Sequence, residues 1–368
     1  MKELDLNLNE FRQFIVSRKI ICYGCGSSGV RAINIMENWG VEKDILTFVD
    51  SDPRKWGKHI ENGSVSYSIV SLDDAVEIAD GDTIFLITCV SDVLKIRNLL
   101  NHYDKLENLY CFSLVELAQY QLLCSDYDEI VHESSSILIP KRIHYAWFGG
   151  SMPERIKYMI DSWREMCPDY EIIEWNETNY DIAKCKYMRQ AYEAKQWAFV
   201  PDYARCDIIY NHGGIYLDID VKIEKNLDDL LYQKNFFISD VSFMVNLGAG
   251  FGAQKGEPVL KDFMEYYDTV DFKLEDGSLN KKGCVFYQYK VLKDYGMKIN
   301  DTFQVINGVN VYPMIMGGTN SYSMQKRVTA KTYLAHYGSG GWSHLTPENR
   351  IEMQEHFKDS GLENYSWL

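Results

Sequence analysis

Hydrophobic and polar residues alternate at positions 213–221, where the chain reads GGIYLDIDV. Side chains two apart on a strand point to the same face, so the aliphatic residues share one face and Tyr216, Asp218 and Asp220 share the other. Hard divalent cations such as Mn²⁺ or Mg²⁺ prefer oxygen ligands, often carboxylates together with substrate phosphates. The pattern therefore predicts a strand that runs through Asp220 and carries a metal site, although two acids at this spacing also occur at ordinary solvated strand ends.

The segment before this strand has helical periodicity. Apolar residues recur at helical spacing in AFVPDYARCDIIYNH (198–212), and Gly213 follows as a left-handed stop. Asp202 and Arg205 lie three residues apart and therefore occupy neighbouring positions on one helix face. Two interpretations stay open: a local ion pair near the start of the helix, or two side chains that project toward the same site as the strand acids.

The first third of the chain has a pattern of its own. A short apolar strand leads into Gly24, Gly26 and Gly29 in G-x-G-x-x-G spacing, a helical stretch follows, and a second strand ends at Asp50. Strand, glycine loop and helix in this order are typical of dinucleotide binding, with the acid placed for a ribose hydroxyl. We predict a second nucleotide site at these four residues, or a docking or regulatory domain with an empty loop.

The remainder of the N-terminal third continues this alternation of strands and helices. Strand-like runs at 83–90 and 109–112 are separated by helical stretches, which favours a parallel sheet. A short polar stretch at 133–136 precedes the next strand and indicates a boundary. We therefore expect an α/β chain with a Rossmann-like domain at 1–132 and a second α/β domain at 137–368. Further along, a helix at 153–167 has an apolar stripe expected in the core.

The C-terminal two thirds of the chain contains five blocks in order: IPKRIHYAWFGG (139–150), SWREMCPDYEIIEWNE (162–177), WAFVPDYARCDIIYNHGGIYLDIDV (197–221), VNLGAGFGAQKGEP (245–258) and AHYGSGGW (335–342). In this order they resemble glycosyltransferase family 32, which includes fungal mannosyltransferases and bacterial capsule and lipopolysaccharide enzymes. The resemblance extends to the catalytic domain of the large clostridial glucosylating toxins. It implies a GT-A fold, a nucleotide-diphospho-sugar donor, a divalent metal and retention of anomeric configuration.

The resemblance also implies a set of donor-binding residues. They are Trp147, Gly149, Asp202, Arg205, Asp218, Ser339 and Trp342. Trp147 matches a tryptophan that stacks on the donor base, and Gly149 would let a ligand approach the backbone; a buried core role for the tryptophan is the alternative. Ser339 and Trp342 match a segment that closes over the diphosphate. Two glycines separate them here, where many members have a direct Ser-Trp pair.

The chemistry that the resemblance implies is centred on Asp218 and Asp220, called the motif acids below. Asp218, Asp220 and Asn246 match residues at the transfer centre, and we take them as the catalytic residues. Asp218, Asp220 and His336 are the expected ligands of Mn²⁺ or Mg²⁺. A single histidine is often structural, so that interpretation of His336 stays open beside the metal role.

Composition and charge limit the choice of partners. The net charge of −15 argues against nucleic acid, because phosphate backbones are held by clustered Lys and Arg. The same charge would repel a diphosphate donor, and a bound cation would reverse the local potential. No apolar run is long enough to span a bilayer, no secretion signal begins the chain, and nine cysteines, an odd number, suggest reduced thiols.

The resemblance therefore implies a metal-dependent retaining glycosyltransferase, with a UDP-sugar favoured as the donor, and the composition and charge are compatible with it. We expect its acceptor to be a glycan or a lipid-linked glycan in bacterial capsule, lipopolysaccharide or other surface polysaccharide synthesis. Golgi members of the family carry a membrane anchor, so its absence favours a bacterial cytoplasmic enzyme, with peripheral contact at the inner membrane. The alternatives are a nucleotide-dependent oxidoreductase that uses the glycine loop, and a non-catalytic sugar-nucleotide sensor.

Overall fold

A computed structural model describes residues 1–63, 65–89, 92–152, 154–317 and 328–336. The chain divides into two compact units. One contains Met1–Cys124 with Lys298–Asp301, and the other contains Ser125–Met297 and the residues from Thr302 onward. The division therefore falls before the polar stretch at 133–136, whose first two N–H groups donate to the Tyr232 carbonyl of the second unit.

The first unit is built around a mostly parallel sheet. Its strands are β1 (Lys19–Tyr23), β2 (Ile45–Val49), β3 (His59–Asn62), β4 (Val65–Val70), β5 (Thr83–Ile87) and β6 (Tyr110–Ser113). Its helices are α1 (Leu8–Phe14), α2 (Ser27–Trp39), α3 (Leu72–Ile78), α4 (Val93–Leu100) and α5 (Leu114–Cys124). The strand order is β3-β4-β2-β1-β5-β6, with only the β3–β4 pair antiparallel. β5 lies between β1 and β6 in the sheet, so it is covered on both edges, and all of its residues are buried. A continuous apolar run is typical of such an internal strand.

The second unit contains a mixed sheet and a small two-stranded sheet. Its strands are β7 (Arg142–Ala146), β8 (Glu171–Trp175), β9 (Gly214–Tyr216), β10 (Val221–Ile223), β11 (Asn235–Ile238), β12 (Phe251–Ala253), β13 (Gln304–Ile306), β14 (Val309–Tyr312) and β15 (Leu334–His336). Its helices are α6 (Glu154–Met166), α7 (Lys186–Glu193), α8 (Pro201–His212), α9 (Pro258–Asp268), α10 (Cys284–Asp294) and α11 (Met314–Gly317). The mixed sheet has the order β13-β14-β11-β12-β9-β7-β8, and β10 pairs with β15. The predicted α/β class is confirmed in both units.

The apolar stripe of α6 packs into the core as predicted over residues 159–163, whereas the side chain of Ile156, also predicted there, lies outside the described part of the helix. Met159, Ile160 and Trp163 are buried, and the Trp163 indole N–H donates to the Val221 carbonyl at 2.7 Å. Met166, at the end of the helix, is 38% exposed, so its assignment to the core is wrong. The bond from Trp163 fixes α6 against β10, the strand that follows the two motif acids.

In the part of the chain that the structure describes, no helix has both the length and the apolar character needed to cross a membrane.

Candidate functional site

Asp218 and Asp220 follow β9 instead of lying on it. The strand ends at Tyr216, and the next residues turn so that the Val221 N–H donates to the Asp218 carbonyl at 3.0 Å. The predicted strand through Asp220 is therefore wrong in extent, because the chain leaves the mixed sheet here and β10 pairs with β15. The side chains of Asp218 and Asp220 are 28% and 11% exposed, so both carboxylates are partly buried.

His336 lies beside the second acid. β15 places it opposite Val221 in the two-stranded register, and its Nε2 is 3.4 Å from Asp220 Oδ1. Burial alone would lower the pKa of His336, but the carboxylates of Asp220 and Asp218 outweigh that effect and raise it. A charged imidazole pairs with a carboxylate, whereas a metal ligand must be neutral. Within the described ranges no three His, Cys, Asp or Glu side chains are arranged around one ion position, so the three-ligand site stays a prediction.

Arg205 connects the helix acid to the first motif acid. Its Nη2 is 3.1 Å from Asp202 Oδ1, one turn earlier on α8, and 3.5 Å from Asp218 Oδ1. Asp202 and Arg205 form the local ion pair that their spacing suggested, and Arg205 also reaches the motif acid Asp218, so the two interpretations are compatible. Burial raises the pKa of Asp202 to about 7, although Arg205 opposes the rise. Arg205 therefore stabilises the carboxylates of both Asp202 and Asp218.

Asn246 is held with its amide in a fixed orientation. Its Nδ2 donates to Asp240 Oδ2 at 2.8 Å, and its Oδ1 accepts the Gly248 N–H at 2.9 Å. A β-carbon at position 248 would lie 3.1 Å from both Asn246 Oδ1 and Arg205 Nη1, so the asparagine borders the Arg205–Asp218 pair. Sequence reasoning missed Asp240, which follows β11. Asp240 lies two residues after the end of the buried strand β11, just as Asp218 lies two residues after the end of β9, and this placement was the available signal.

Trp147 lies at the end of β7, where it is partly exposed. Its indole N–H donates to the Gly150 carbonyl at 2.9 Å. A β-carbon at Gly149 would lie 2.5 Å from the indole of Trp197, which is 38% exposed. On that face the missing side chain makes room for Trp197, and the expectation that Gly149 lets a ligand approach the backbone stays a prediction. No feature of the sequence separates Trp197 from other tryptophans near a helix start.

Two predicted donor-binding residues, Ser339 and Trp342, lie outside the described residues.

The glycine loop of the first unit has the predicted context, between β1 and α2, and Asp50 directly follows β2. The Asp50 carboxylate is already engaged within its own unit. Its Oδ2 accepts from Cys25 Sγ and Lys55 Nζ, both at 2.8 Å, and its Oδ1 accepts the Asp52 N–H at 2.9 Å. A ribose hydroxyl would have to displace these partners, so the nucleotide role of this loop stays a prediction.

Comparison with known proteins gives a family match over part of the second unit. Residues 153–237 match the family described as the glycosyltransferase sugar-binding region containing the DXD motif. Inositol phosphoceramide mannosyltransferase 3 of Schizosaccharomyces pombe is 32% identical over 114 residues, 29% of this chain and 31% of that protein. Mannosyl phosphorylinositol ceramide synthase SUR1 of Saccharomyces cerevisiae is 33% identical over 98 residues, 26% of each chain. The match thus spans about a third of the length of the first relative and about a quarter of the second.

Among solved structures, the PaToxG glycosyltransferase covers 51% of this chain and 81% of its own, with 15% identity and a TM-score of 0.31. The matched family region begins at α6 and includes Asp202, Arg205 and both motif acids. Residues 153–237 therefore match a DXD-containing glycosyltransferase region of the family 32 type, in which Asp218-Ile219-Asp220 is the D-x-D sequence, and over this region the resemblance predicted from the sequence is confirmed.

Proposed function

We propose that the protein transfers a hexosyl group from a nucleotide-diphospho-sugar, with UDP-sugars favoured, to an acceptor hydroxyl with retention of configuration. One observation carries the proposal: Arg205 lies between the carboxylates of Asp202 and Asp218. Such a group of charged side chains can hold sugar hydroxyls by charge-assisted hydrogen bonds and fix their orientation. The family match covers the same residues, which supports a donor-sugar subsite here.

The residues fit a hard divalent cation, Mn²⁺ or Mg²⁺. Asp218 and Asp220 supply carboxylate oxygens, and His336 can supply a ring nitrogen once it loses its proton. The pKa of Asp218 is raised by burial, with a further rise from the neighbouring Asp220, so a positive charge between the two acids would relieve their repulsion. When bound, the cation would supply charge stabilisation for the diphosphate leaving group.

The proposed reaction uses these side chains for positioning and electrostatics. Trp147 stacks on the base, while Arg205 with Asp202 orients the sugar. Cleavage of the anomeric bond leaves an oxocarbenium-like sugar, whose positive charge the carboxylate of Asp218 tolerates. The acceptor hydroxyl attacks from the face that the leaving group vacates, and its proton passes to the departing diphosphate. This front-face route gives retention without a covalent enzyme intermediate.

The acceptor is proposed to be a glycan or a lipid-linked glycan. The two fungal relatives are named for inositol phosphoceramide and for mannosyl phosphorylinositol ceramide, which supports a lipid-linked hydroxyl as one class of acceptor. Assembly of a bacterial surface polysaccharide is the role that we propose for such a transfer. A cytoplasmic location at the inner face of the membrane would bring the enzyme to that class of acceptor.

The proposal can be tested by screening nucleotide-sugars for hydrolysis with Mn²⁺, with Mg²⁺ and with a chelator. We expect one donor to be hydrolysed in a metal-stimulated reaction, and Asp220→Asn to abolish hydrolysis and weaken metal-dependent donor binding without unfolding the protein. Asp82→Asn, an exposed acid in the first unit, is the matched control. Full activity of Asp220→Asn with Mn²⁺ still required would contradict the metal assignment. Absence of hydrolysis or binding for every donor would contradict the proposed function.

A further inference from the structure

Cys284 is the first residue of α10 and lies among the residues of the donor subsite. Its Sγ is 3.8 Å from Arg205 Nη1 and 3.7 Å from Asn246 Oδ1. The side chain is partly exposed, in contrast to most cysteines of this unit. Burial and the Asp202 carboxylate raise the pKa of the thiol to about 12, so the group is a neutral S–H at physiological pH.

A neutral thiol can bond to both of its neighbours at once. The S–H donates weakly to the amide oxygen of Asn246, and the sulfur accepts weakly from the guanidinium of Arg205. Arg205 also pairs with Asp218, and the Asn246 amide is fixed from its other end by Asp240. The thiol is therefore the direct connection between the group that holds the donor sugar and the group at the transfer centre.

We propose that Cys284 is a positioning residue for the donor sugar. It orients Arg205 and Asn246 by bonding to both, and it adds no charge between Asp202, Asp218 and Asp240. This inference rests on the proposed function and deepens it. Loss of Cys284 should therefore affect binding of the donor sugar and not of the base, because Arg205 is assigned to the sugar hydroxyls and Trp147 to the base.

This selectivity separates positioning from a structural role. Loss of the thiol should weaken binding of a nucleotide-sugar and leave binding of the free nucleoside diphosphate unchanged, whereas general destabilisation would affect both. We would measure dissociation constants for UDP-glucose, UDP, GDP-mannose and GDP with Mn²⁺ by calorimetry, together with kcat and KM for hydrolysis of whichever sugar the wild type accepts. The variants are Cys284→Ala and Cys284→Ser, with Cys167→Ala as the control because Cys167 is a buried thiol of the same unit outside the site.

For Cys284→Ala we expect the nucleotide-sugar dissociation constant and KM to rise about threefold to tenfold, the range of one weak hydrogen bond or two. The nucleoside diphosphate constant should change less than about twofold. Cys284→Ser should recover most of the loss, because a hydroxyl can both donate and accept. Cys167→Ala should lower the melting temperature without this selective effect.

Three results would overturn the inference: wild-type behaviour of Cys284→Ala, an equal loss for sugar and diphosphate ligands, or a loss that Cys167→Ala reproduces. If the wild type transfers sugar while Cys284→Ala is indistinguishable from it, this inference fails alone. If the wild type binds no nucleotide-sugar, the proposed function and the inference fail together.

Discussion

Gly248 lies directly against the carboxylate of Asp218. A β-carbon at position 248 would be 2.6 Å from Asp218 Oδ2, which is closer than real β-carbons approach another heavy atom. The glycine is outside the left-handed backbone region, so its conformation alone does not require glycine. What requires it is the close approach of the loop after β11 to the first acid of the DXD motif. The loop that contains Gly248 therefore limits where the Asp218 carboxylate can lie.

Replacement of Gly248 by alanine should displace the Asp218 carboxylate, because a carboxylate at the end of a side chain moves more easily than the backbone. A misplacement of about 1 Å at a catalytic group can cost on the order of a hundredfold in rate. We therefore expect Gly248→Ala to lower kcat/KM for nucleotide-sugar hydrolysis by about that factor. Steady-state kinetics with the preferred donor would measure it.

Gly81→Ala is the matched control, since a β-carbon there would meet nothing within 4 Å and its backbone is also outside the left-handed region. The melting temperature of Gly248→Ala should stay within a few degrees of the wild type. Unchanged kinetics would show that Asp218 needs no exact position, and a large loss of stability with proportional loss of activity would indicate a purely structural glycine.

The sequence predicted the helix and the acids of this site from local rules. The α8 helix ends at His212 and is followed by Gly213, whose φ of 65° is unfavourable for other residues. Asp202 and Arg205 share one face of the helix, as their spacing indicates. The alternation of side chains correctly predicted a buried Ile215, but Tyr216, placed on the opposite face, is buried as well, and the predicted strand was too long. The end of β9 depends on the pairing of β10 with β15, whose residues are more than a hundred positions apart, and no local pattern contains that contact.

The residues that sequence reasoning missed share this dependence on distant contacts. Cys284 starts a helix far along the chain from Arg205, and Trp197 meets Gly149 only through the folding of the helices and the strand that lie between them in the chain. Periodicity and capping describe elements, whereas these contacts arise from the packing of one element on another. A thiol or an indole is also an ordinary core group, so its residue type gave no indication of a site.

Trp147 offers a second test, because stacking acts on the base and not on the sugar. We expect Trp147→Ala to weaken binding of a free nucleoside diphosphate about tenfold, and Trp147→Phe to retain most of the affinity since it keeps a flat ring. Calorimetry with UDP and Mn²⁺, and with GDP and Mn²⁺, would measure the change. Should Trp147→Ala melt at a markedly lower temperature with unchanged nucleotide affinity, the ring belongs to the core and its assignment to the base is wrong.

His144 should make the stability of the protein depend on pH. It is fully buried on β7, its Nδ1 accepts from the Trp175 indole N–H at 3.1 Å, and its Nε2 donates to the Gly213 carbonyl at 3.0 Å. Burial lowers its pKa to about 4 from an ordinary value of 6.5. Between pH 6.5 and pH 4, His144 is protonated in the unfolded chain but stays neutral in the native protein. Stability is therefore lost as pH falls from 6.5 toward 4, by up to about 3 kcal/mol.

Urea unfolding followed by tryptophan fluorescence at several pH values would measure this loss. His144→Gln keeps a donor and an acceptor but has no proton to gain, so it should be less stable at pH 7.5 and should lose less stability on acidification than the wild type. His102→Gln, which replaces an exposed histidine of the first unit, is the control. An identical pH dependence for His144→Gln and the wild type would exclude His144 as the cause.

The last prediction is that the first unit does not work as a dehydrogenase. Its glycine loop has the spacing for a phosphate, but the Asp50 carboxylate is engaged by Cys25, Lys55 and the Asp52 N–H. A dehydrogenase also needs a proton-transfer group that faces the nicotinamide, and the second unit carries the residues of a different chemistry. We expect no substrate-dependent reduction of NAD or NADP by the full chain.

Calorimetry of the full chain in the Asp220→Asn background, with NAD, NADP and several nucleotide-sugars, would show whether the first unit binds a ligand on its own account. Asp50→Asn distinguishes a structural role of Asp50 from a nucleotide-binding one. It weakens the bonds from Cys25 and Lys55, and it also removes the negatively charged carboxylate that could accept a hydrogen bond from a ribose hydroxyl. In the otherwise wild-type chain, we expect Asp50→Asn to lower the melting temperature and to leave sugar transfer unchanged. The prediction would be wrong if the protein bound NAD with micromolar affinity, lost that binding in Asp50→Asn, and reduced NAD. Binding of a nucleotide-sugar that Asp50→Asn weakens would instead support a positioning or regulatory role for this unit.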